Sequence, residues 1–442
     1  MERQPIYPQH HINREEMMSK KRAASSEQQS NPPIPPSSKG GLGGIANSEL
    51  RTPNFLRKLF TIHYSLFTNK KGVTLVELMI TMVIFVLVIA AASQIFTGLL
   101  TQFKQQSKIA ETNIEGIIGL EIMRRDIAHA GYGLPWVIDA AVAYNEAAAG
   151  YNDCAGTAPC NPPRAILSGN GAGVVNGSDE LIVKATNIAR NGAAQAWTRL
   201  GVWNTKRNGL SGESFDNSDR VIVLSPGTTD ANRRSLVVSG NFYAIYNATA
   251  AFAPTDATET FFVYGINRGS DSPVPWTPRM PFNRADYYIS TSNVPSQCAA
   301  GTGVLSKNVI SHTDGSRADN LPLLDCVADL QVNFWLDTNA DGNIDWPPSD
   351  NIGTGGLNLT AQQIREQLKE VRVYVVAHEG QRDINYDFSM NNTREFLSAL
   401  EVLGGTSRTI EFINLKTLVG DPDYKYYRWK VYTIVVKPSN LR

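Results

Sequence analysis

The stretch KKGVTLVELMITMVIFVLVIAAASQIFTGLL, residues 70–100, decides how this 442-residue chain is read. Lys70, Lys71 and Gly72 precede a run of Val, Leu, Ile, Ala and Met. The run is long enough to cross a bilayer, because ~20 apolar residues in a helix span the hydrocarbon core. It contains one charged residue, Glu77, in the fifth position after Gly72. A lone carboxylate in an apolar span costs about 3 kcal/mol or more unless partnered, so by default it marks function. The plainer reading is a single-pass anchor whose acid snorkels to the interface.

Beyond the span the helical pattern continues. No proline occurs from Val73 until Pro135, and apolar residues recur at Ile114, Ile117, Ile118, Leu120, Ile122, Met123 and Ile127. A continuous helix from Val73 to Ala130 would be roughly 85 Å long at the standard rise. Its first half is apolar all round, and its second half offers a broad apolar surface for a globular head. Gly98, Gly116 and Gly119 are expected to bend or fray it, and Gly131 is placed to end it.

After Pro135 the pattern changes to short β-like runs between Gly, Asn, Asp and Pro. Candidate strands are 181–186, 221–224, 235–238, 242–246, 261–265 and 286–290, with stronger ones at 327–336, 371–378 and 426–436. A short helix is expected at 360–368, where Thr360 and Gln363 have capping-box spacing. The fold class is α+β: a long N-terminal helix, then a β-rich, mainly antiparallel head. Strand order within 140–320 is not readable from pattern.

Toward the N-terminus, residues 25–44 are rich in Ser, Pro and Gly and read as disordered. Residues 54–67, NFLRKLFTIHYSLF, are apolar and basic and suit a membrane surface. The zero net charge conceals an asymmetry. Residues 1–72 hold 11 Lys+Arg against 5 Asp+Glu; removing them from totals of 41 and 41 leaves 30 and 36, a net of −6 from Val73 onward. An acidic chain lacks the positive surface that general nucleic-acid binding requires.

All four cysteines follow the span, and four allow three pairings. Spacing favours Cys154–Cys160, closing the loop AGTAP, and Cys298–Cys326, tying a longer loop to a strand. Zinc is the competing use, but the spacings match neither a ribbon nor a finger. At 337–345, DTNADGNID places Asp337, Asn339, Asp341, Asn343 and Asp345 in the alternation of a calcium loop, with Gly342 at its turn. Pro348 stands where such loops carry a bidentate glutamate, so affinity of order 10⁻⁴ to 10⁻³ M is expected. The competing reading is an Asx-rich turn held by side-chain to backbone bonds.

KKG followed by VTLVELMITMVIF resembles the signal of type IV prepilins and of the pseudopilins of type II secretion. The resemblance implies cleavage by prepilin peptidase between Gly72 and Val73, with Lys70 and Lys71 in the leader. N-methylation is implied at Val73, which stands where the family usually has phenylalanine, and Glu77 becomes the fifth mature residue. LEIMRRDIAHAGYG, residues 120–133, resembles the helix end of PilW-type minor pilins, with Arg124, Arg125, Asp126, Gly131 and Tyr132 in matching places. Asp126 has only weak partners along its own helix, so it is assigned to docking the head. The strings VADLQVNFWLDTNADGNID, EVRVYVVAH and YRWKVYTIVVKPSNLR follow the same family pattern. A leader this long is unusual for a prepilin; a start at Leu66 through an alternative codon would shorten it.

These readings divide the chain into a basic, largely disordered leader (1–72), a long helix (73–132, transmembrane about 73–100) and a β-rich head (133–442). Basic residues before the span place the leader in the cytoplasm and the head in the periplasm; the resemblance implies that the head then moves to the pilus fibre or cell surface. The resemblance implies a non-catalytic minor pilin that helps initiate pilus assembly in a tip or priming complex. Its partners would be other minor and major pilins, a PilY-type tip adhesin, prepilin peptidase and inner-membrane lipid. The alternative is a J-type pseudopilin of a type II secretion system. No organic cofactor is expected, and calcium is the one expected ion. His129, His312 and His378 stand apart from any nucleophile or ligand motif, and no P-loop, G-x-S-x-G or H-E-x-x-H occurs.

Overall fold

The computed structural model describes residues 72–148, 150–170, 175–202, 205–208, 214–229, 231–269, 277–345, 348–388, 415, 419 and 422–441. The leader, with Lys70 and Lys71, lies outside the described residues. The chain forms two compact units, residues 1–86 and 87–442. In the first, the helix α1 (Leu75–Ala128) begins behind Thr74, whose hydroxyl accepts from the Glu77 amide at 3.3 Å. That bond satisfies one of the amides a helix start leaves unpaired.

The second unit is built on a seven-stranded antiparallel sheet. Its strands are β1 (Ile166–Asn170), β2 (Asp179–Ala185), β9 (Asn283–Ser290), β10 (Gly303–Ile310), β11 (Arg317–Leu336), β12 (Leu368–Glu379) and β13 (Arg428–Val436), in that spatial order. A smaller sheet runs β4 (Thr205–Asn208), β3 (Trp197–Gly201), β8 (Phe261–Asn267), β5 (Arg220–Ser225) and β6 (Ser235–Val237), with β7 (Ala244–Ile245) also paired to β5. A four-residue helical turn, α2 (Gly192–Gln195), precedes β3. The helix α3 (Ala361–Gln367) precedes β12 and carries a complete capping box between Thr360 and Gln363. The fold is thus a long apolar N-terminal helix followed by antiparallel sheets.

Most expected strands are present, with shifted ends. The 242–246 run shrinks to β7, and Tyr246–Phe252 turns instead into a 3₁₀ helix. β1, β3, β4 and β10 were not anticipated. In β10 the residues that hide the strand pattern, Ser306, Lys307 and Asn308, are buried polar groups.

The C-terminal half of α1 lies on the large sheet. Leu120, Met123 and Ile127 are buried in its core. Ile114, Ile117 and Ile118 face away and are 60, 66 and 59% exposed. The broad apolar surface expected there therefore splits into a packed face and an uncovered one. Gly116 and Gly119, expected to loosen the helix, instead permit close approach. A Cβ at Gly119 would lie 1.9 Å from the Leu323 carbonyl oxygen, and one at Gly116 would lie 3.0 Å from the Leu324 side chain. Gly98 faces open space.

Across β2 and β9 the sheet's other face is charged, because alternate strand residues point to opposite sides. Lys184, fully buried, contacts Glu146 at 2.6 Å and Asp153 at 2.5 Å, and Arg284 contacts Asp286 at 2.7 Å and Glu146 at 3.3 Å. Arg164 completes the pairing of Asp153 at 2.5 Å. Glu146 and Asp153 come from the segment before β1, where the Cys154–Cys160 disulfide closes a short loop, and Asp286 lies on β9. Buried charges persist only when each is paired, and here Lys184, Arg284, Glu146 and Asp153 each meet two opposite charges.

Gly119→Ala should lower stability by about 1–3 kcal/mol, because the added methyl meets sheet backbone that cannot swing aside. Gly98→Ala should stay within about 0.5 kcal/mol of the parent. Thermal unfolding of the detergent-solubilised full chain, followed by near-ultraviolet circular dichroism, distinguishes the two.

Candidate functional site: the processing motif and the helix-to-head anchor

Gly72 and Val73 lie just ahead of α1, exposed and outside regular structure; Val73 is 70% exposed. At these two residues a protease therefore meets exposed backbone outside the helix. Glu77 sits in the first turn of α1 as its one acid. An anion there faces the positive end of the helix dipole. Thr74 and Glu77 also have the T-x-x-E spacing of a capping box, a signal available in the sequence but not used there. From Val73 to Ile89 the large apolar side chains are all more than half exposed. α1 is long and apolar enough to cross a membrane.

At its other end α1 is anchored. Asp126 accepts from Lys307 on β10 at 2.5 Å and from the hydroxyl of Tyr287 on β9. Lys307 also donates to the Ile188 carbonyl at 3.0 Å. Tyr287 is fully buried, and burial, reinforced by the Asp126 charge, pushes its hydroxyl well above its ordinary pKa. A neutral donor and an ammonium thus converge on one carboxylate. Arg124 does not join them: it makes two 2.6 Å bonds to Glu121 on the exposed helix surface. Arg125 lies in the last turn, where a cation favours the helix C-terminus.

Three further contacts close this end. Gly131 takes a φ of 85°, and its amide donates to the Lys184 carbonyl at 3.0 Å. Tyr132 packs edge-on against Tyr264, their ring centres 5.3 Å apart, and burial raises its hydroxyl to about 12. The C-terminal segment returns to the helix end, where the Ser439 amide and hydroxyl donate to the Ala128 carbonyl at 3.1 and 3.0 Å. About four turns further back along α1, Glu379 accepts from Asn113, Lys430 and Tyr432 at 3.2, 3.0 and 2.9 Å.

The 337–345 loop follows β11. Both carboxylate oxygens of Asp337 accept backbone amides, from Asp341 and Gly342 at 3.1 Å each. Asp337 also meets the Lys369 ammonium at 2.7 Å, which holds its carboxyl below the usual range. Asn339 accepts from the Asp341 amide at 3.0 Å, Asp341 from the Asn343 amide at 2.7 Å, and Asp345 from Thr338. The side-chain donors are oxygens throughout, the chemistry a hard cation prefers. Lys369 is the competing cation.

Cys154 is bonded to Cys160 and Cys298 to Cys326. The second bridge lies beside fully buried His378, whose Nε2 accepts from the Ala299 amide at 2.9 Å and whose pKa falls to about 4 through burial. Those three residues come from separate segments, so spacing carries no hint of the grouping. With both sulfurs in a disulfide they are not metal ligands.

Residues 67–93 match the prokaryotic N-terminal methylation motif family. The motif and the apolar helix behind it fit a membrane-anchored pilin. No curated protein matches the chain. Among solved structures it is similar to a type IV-like pilin from Thermus thermophilus at 12% identity and a TM-score of 0.19, over 36% of this chain and 69% of that one.

Asp126→Asn should destabilise the protein by about 3–5 kcal/mol, since it leaves the Lys307 charge buried without its counter-ion. Adding Lys307→Met should restore a substantial part of the loss. A double variant as unstable as the sum of its singles would contradict an ion-pair anchor.

Proposed function

We propose that this protein is a minor pilin of a type IV pilus, a non-catalytic subunit that joins a tip or priming complex after prepilin peptidase removes its leader. The observation that carries the reading is the methylation motif at 67–93, with Gly72 in exposed backbone and Glu77 in the first turn of an apolar helix. Cleavage after Gly72 frees an amine at Val73. In the membrane, the Glu77 carboxylate of one subunit pairs with the amine of a neighbour. Each group offsets the other's desolvation, and the pair sets the axial register. Lys70 and Lys71 keep the leader cytoplasmic, so the head is periplasmic before assembly. A β-rich head reaching from residue 133 to 442 is large for a J-type pseudopilin, which favours the pilus reading. Its partners are then other pilins and a PilY-type adhesin.

Gly72→Ala should block processing, and an unchanged electrophoretic size after that change would count against the assignment. Glu77→Ala should leave processing intact and reduce co-purification with partner pilins at least tenfold. Co-purification at parental levels would remove Glu77 from assembly.

The 337–345 loop is proposed as a weak calcium site in which the ion displaces Lys369 from Asp337. Titration should give a dissociation constant of order 10⁻⁴ to 10⁻³ M. Asp341→Ala should abolish it, and a flat titration of the parent would leave the loop as a self-capped turn.

A further inference from the structure

Lys184, on β2, is a potential nucleophile buried with two carboxylates. Its side chain and those of Glu146 and Asp153 are 0, 0 and 2% exposed. The Lys184 Nζ lies 2.5 Å from Asp153 Oδ2 and 2.6 Å from Glu146 Oε2, and 5.5 Å from the ring centre of Phe282. Glu146 Oε1 accepts from the Asp153 amide at 2.8 Å, which fixes the two acids relative to each other.

The surrounding charges are accounted for. Arg164 bonds Asp153 twice, from Nε to Oδ1 at 2.5 Å and from its amide to Oδ2 at 2.8 Å. Arg284 reaches Glu146 Oε2 at 3.3 Å and meets Asp286 more closely, at 2.7 Å. Arg317, with Glu180 and Asp286, extends the pairing. Burial pushes the Asp153 carboxyl up, but Lys184 and Arg164 outweigh it and hold it below its ordinary range. Asp153 therefore meets Lys184 as a carboxylate, and the protons of any reaction between them come from Lys184.

We propose that Lys184 and Asp153 condense into an intramolecular isopeptide bond, with Glu146 relaying a proton and Arg164 holding the carbonyl oxygen. Lys184 passes one proton to Glu146, and its nitrogen lone pair attacks Cγ of Asp153. Charge collects on Oδ1, where Arg164 Nε already donates. Glu146 gives its proton to Oδ2, a second proton moves from the attacking nitrogen to the same oxygen, and the Cγ–Oδ2 bond breaks to release water. One ammonium and one carboxylate become one amide and one water, and no other reactant is consumed. Held contact makes the step unimolecular, and burial removes the hydration that favours separate ions. Asp153 and Arg164 also line a cavity of about 590 Å³ that can receive the water. The bond joins the segment carrying Cys154 to β2 and closes a chain loop, which restricts the unfolded state. The inference is independent of how the chain is processed or assembled.

Intact mass spectrometry of the full chain, purified in detergent with its disulfides reduced, tests it. The parent should weigh one water less than its sequence from the observed N-terminus. Tandem spectra of a tryptic digest should show Lys184 uncut and joined to Asp153. Lys184→Met should restore the full mass. Glu146→Gln, its fold checked by near-ultraviolet circular dichroism, should lower the joined fraction at least tenfold. A parent of full mass with Lys184 cut by trypsin would overturn the proposal, whether or not either variant folds. A water loss that persists in Lys184→Met would overturn it too, by placing the loss elsewhere in the chain. Joining at the parental level in folded Glu146→Gln would overturn the proton relay.

Discussion

The rest of the structure depends on an apolar surface that the described residues leave uncovered. Between Val73 and Leu100 the large hydrophobic side chains of α1 stand exposed. Leaving such an area in water forfeits roughly 25 cal/mol for every Å² that could be buried. Lipid would cover it in a membrane, and under the proposed function neighbouring apolar helices would offer the same cover after assembly. The two environments are near-equivalent for Leu, Ile and Val, so they do not by themselves set a register. Glu77 can set one, because a carboxylate in apolar surroundings needs a partner at a fixed place.

At the opposite end of α1 the chain relies on polar contacts as well as on apolar packing. Asp126, Lys307 and Tyr287 meet where the helix leaves the sheet, and Ser439 returns from the far end of the sequence to cap Ala128. Apolar packing through Leu120, Met123 and Ile127 supplies attraction but tolerates sliding. A buried ion pair with a third hydrogen bond does not, since any shift leaves a desolvated charge without its partner. Gly119 brings the helix close enough to Leu323 for those contacts to form. The uncovered stripe of Ile114, Ile117 and Ile118 continues the apolar surface beyond the membrane-length segment.

Much of this was legible from residue pattern alone. Helix α1 needed only its proline-free apolar run, and α3 announced itself through Thr360 and Gln363. β12 and β13 show β-branched and aromatic runs that pattern reading finds easily. β10 did not, because Lys307 sits in mid-strand. Its burial makes sense only beside Asp126, which lies 181 positions away. In the small sheet β5, β6, β7 and β8 show in the pattern, and β3 and β4 are the strands it hides. Both are short, and loops between strands break any alternation. Glycine at 116 and 119 reads as helix-weakening until the opposing strand is known. Likewise the indole of Trp136 has no evident role until Arg233, Arg234 and Arg365 are placed around it.

The account rests on the apolar helix becoming the protein's own N-terminus. Mass spectrometry of the protein recovered from membranes or fibres measures this directly. The account predicts an N-terminal peptide that begins at Val73 with one added methyl group. Recovery of peptides from residues 1–72 still joined to the head, in cells that trim their other prepilins, would contradict it.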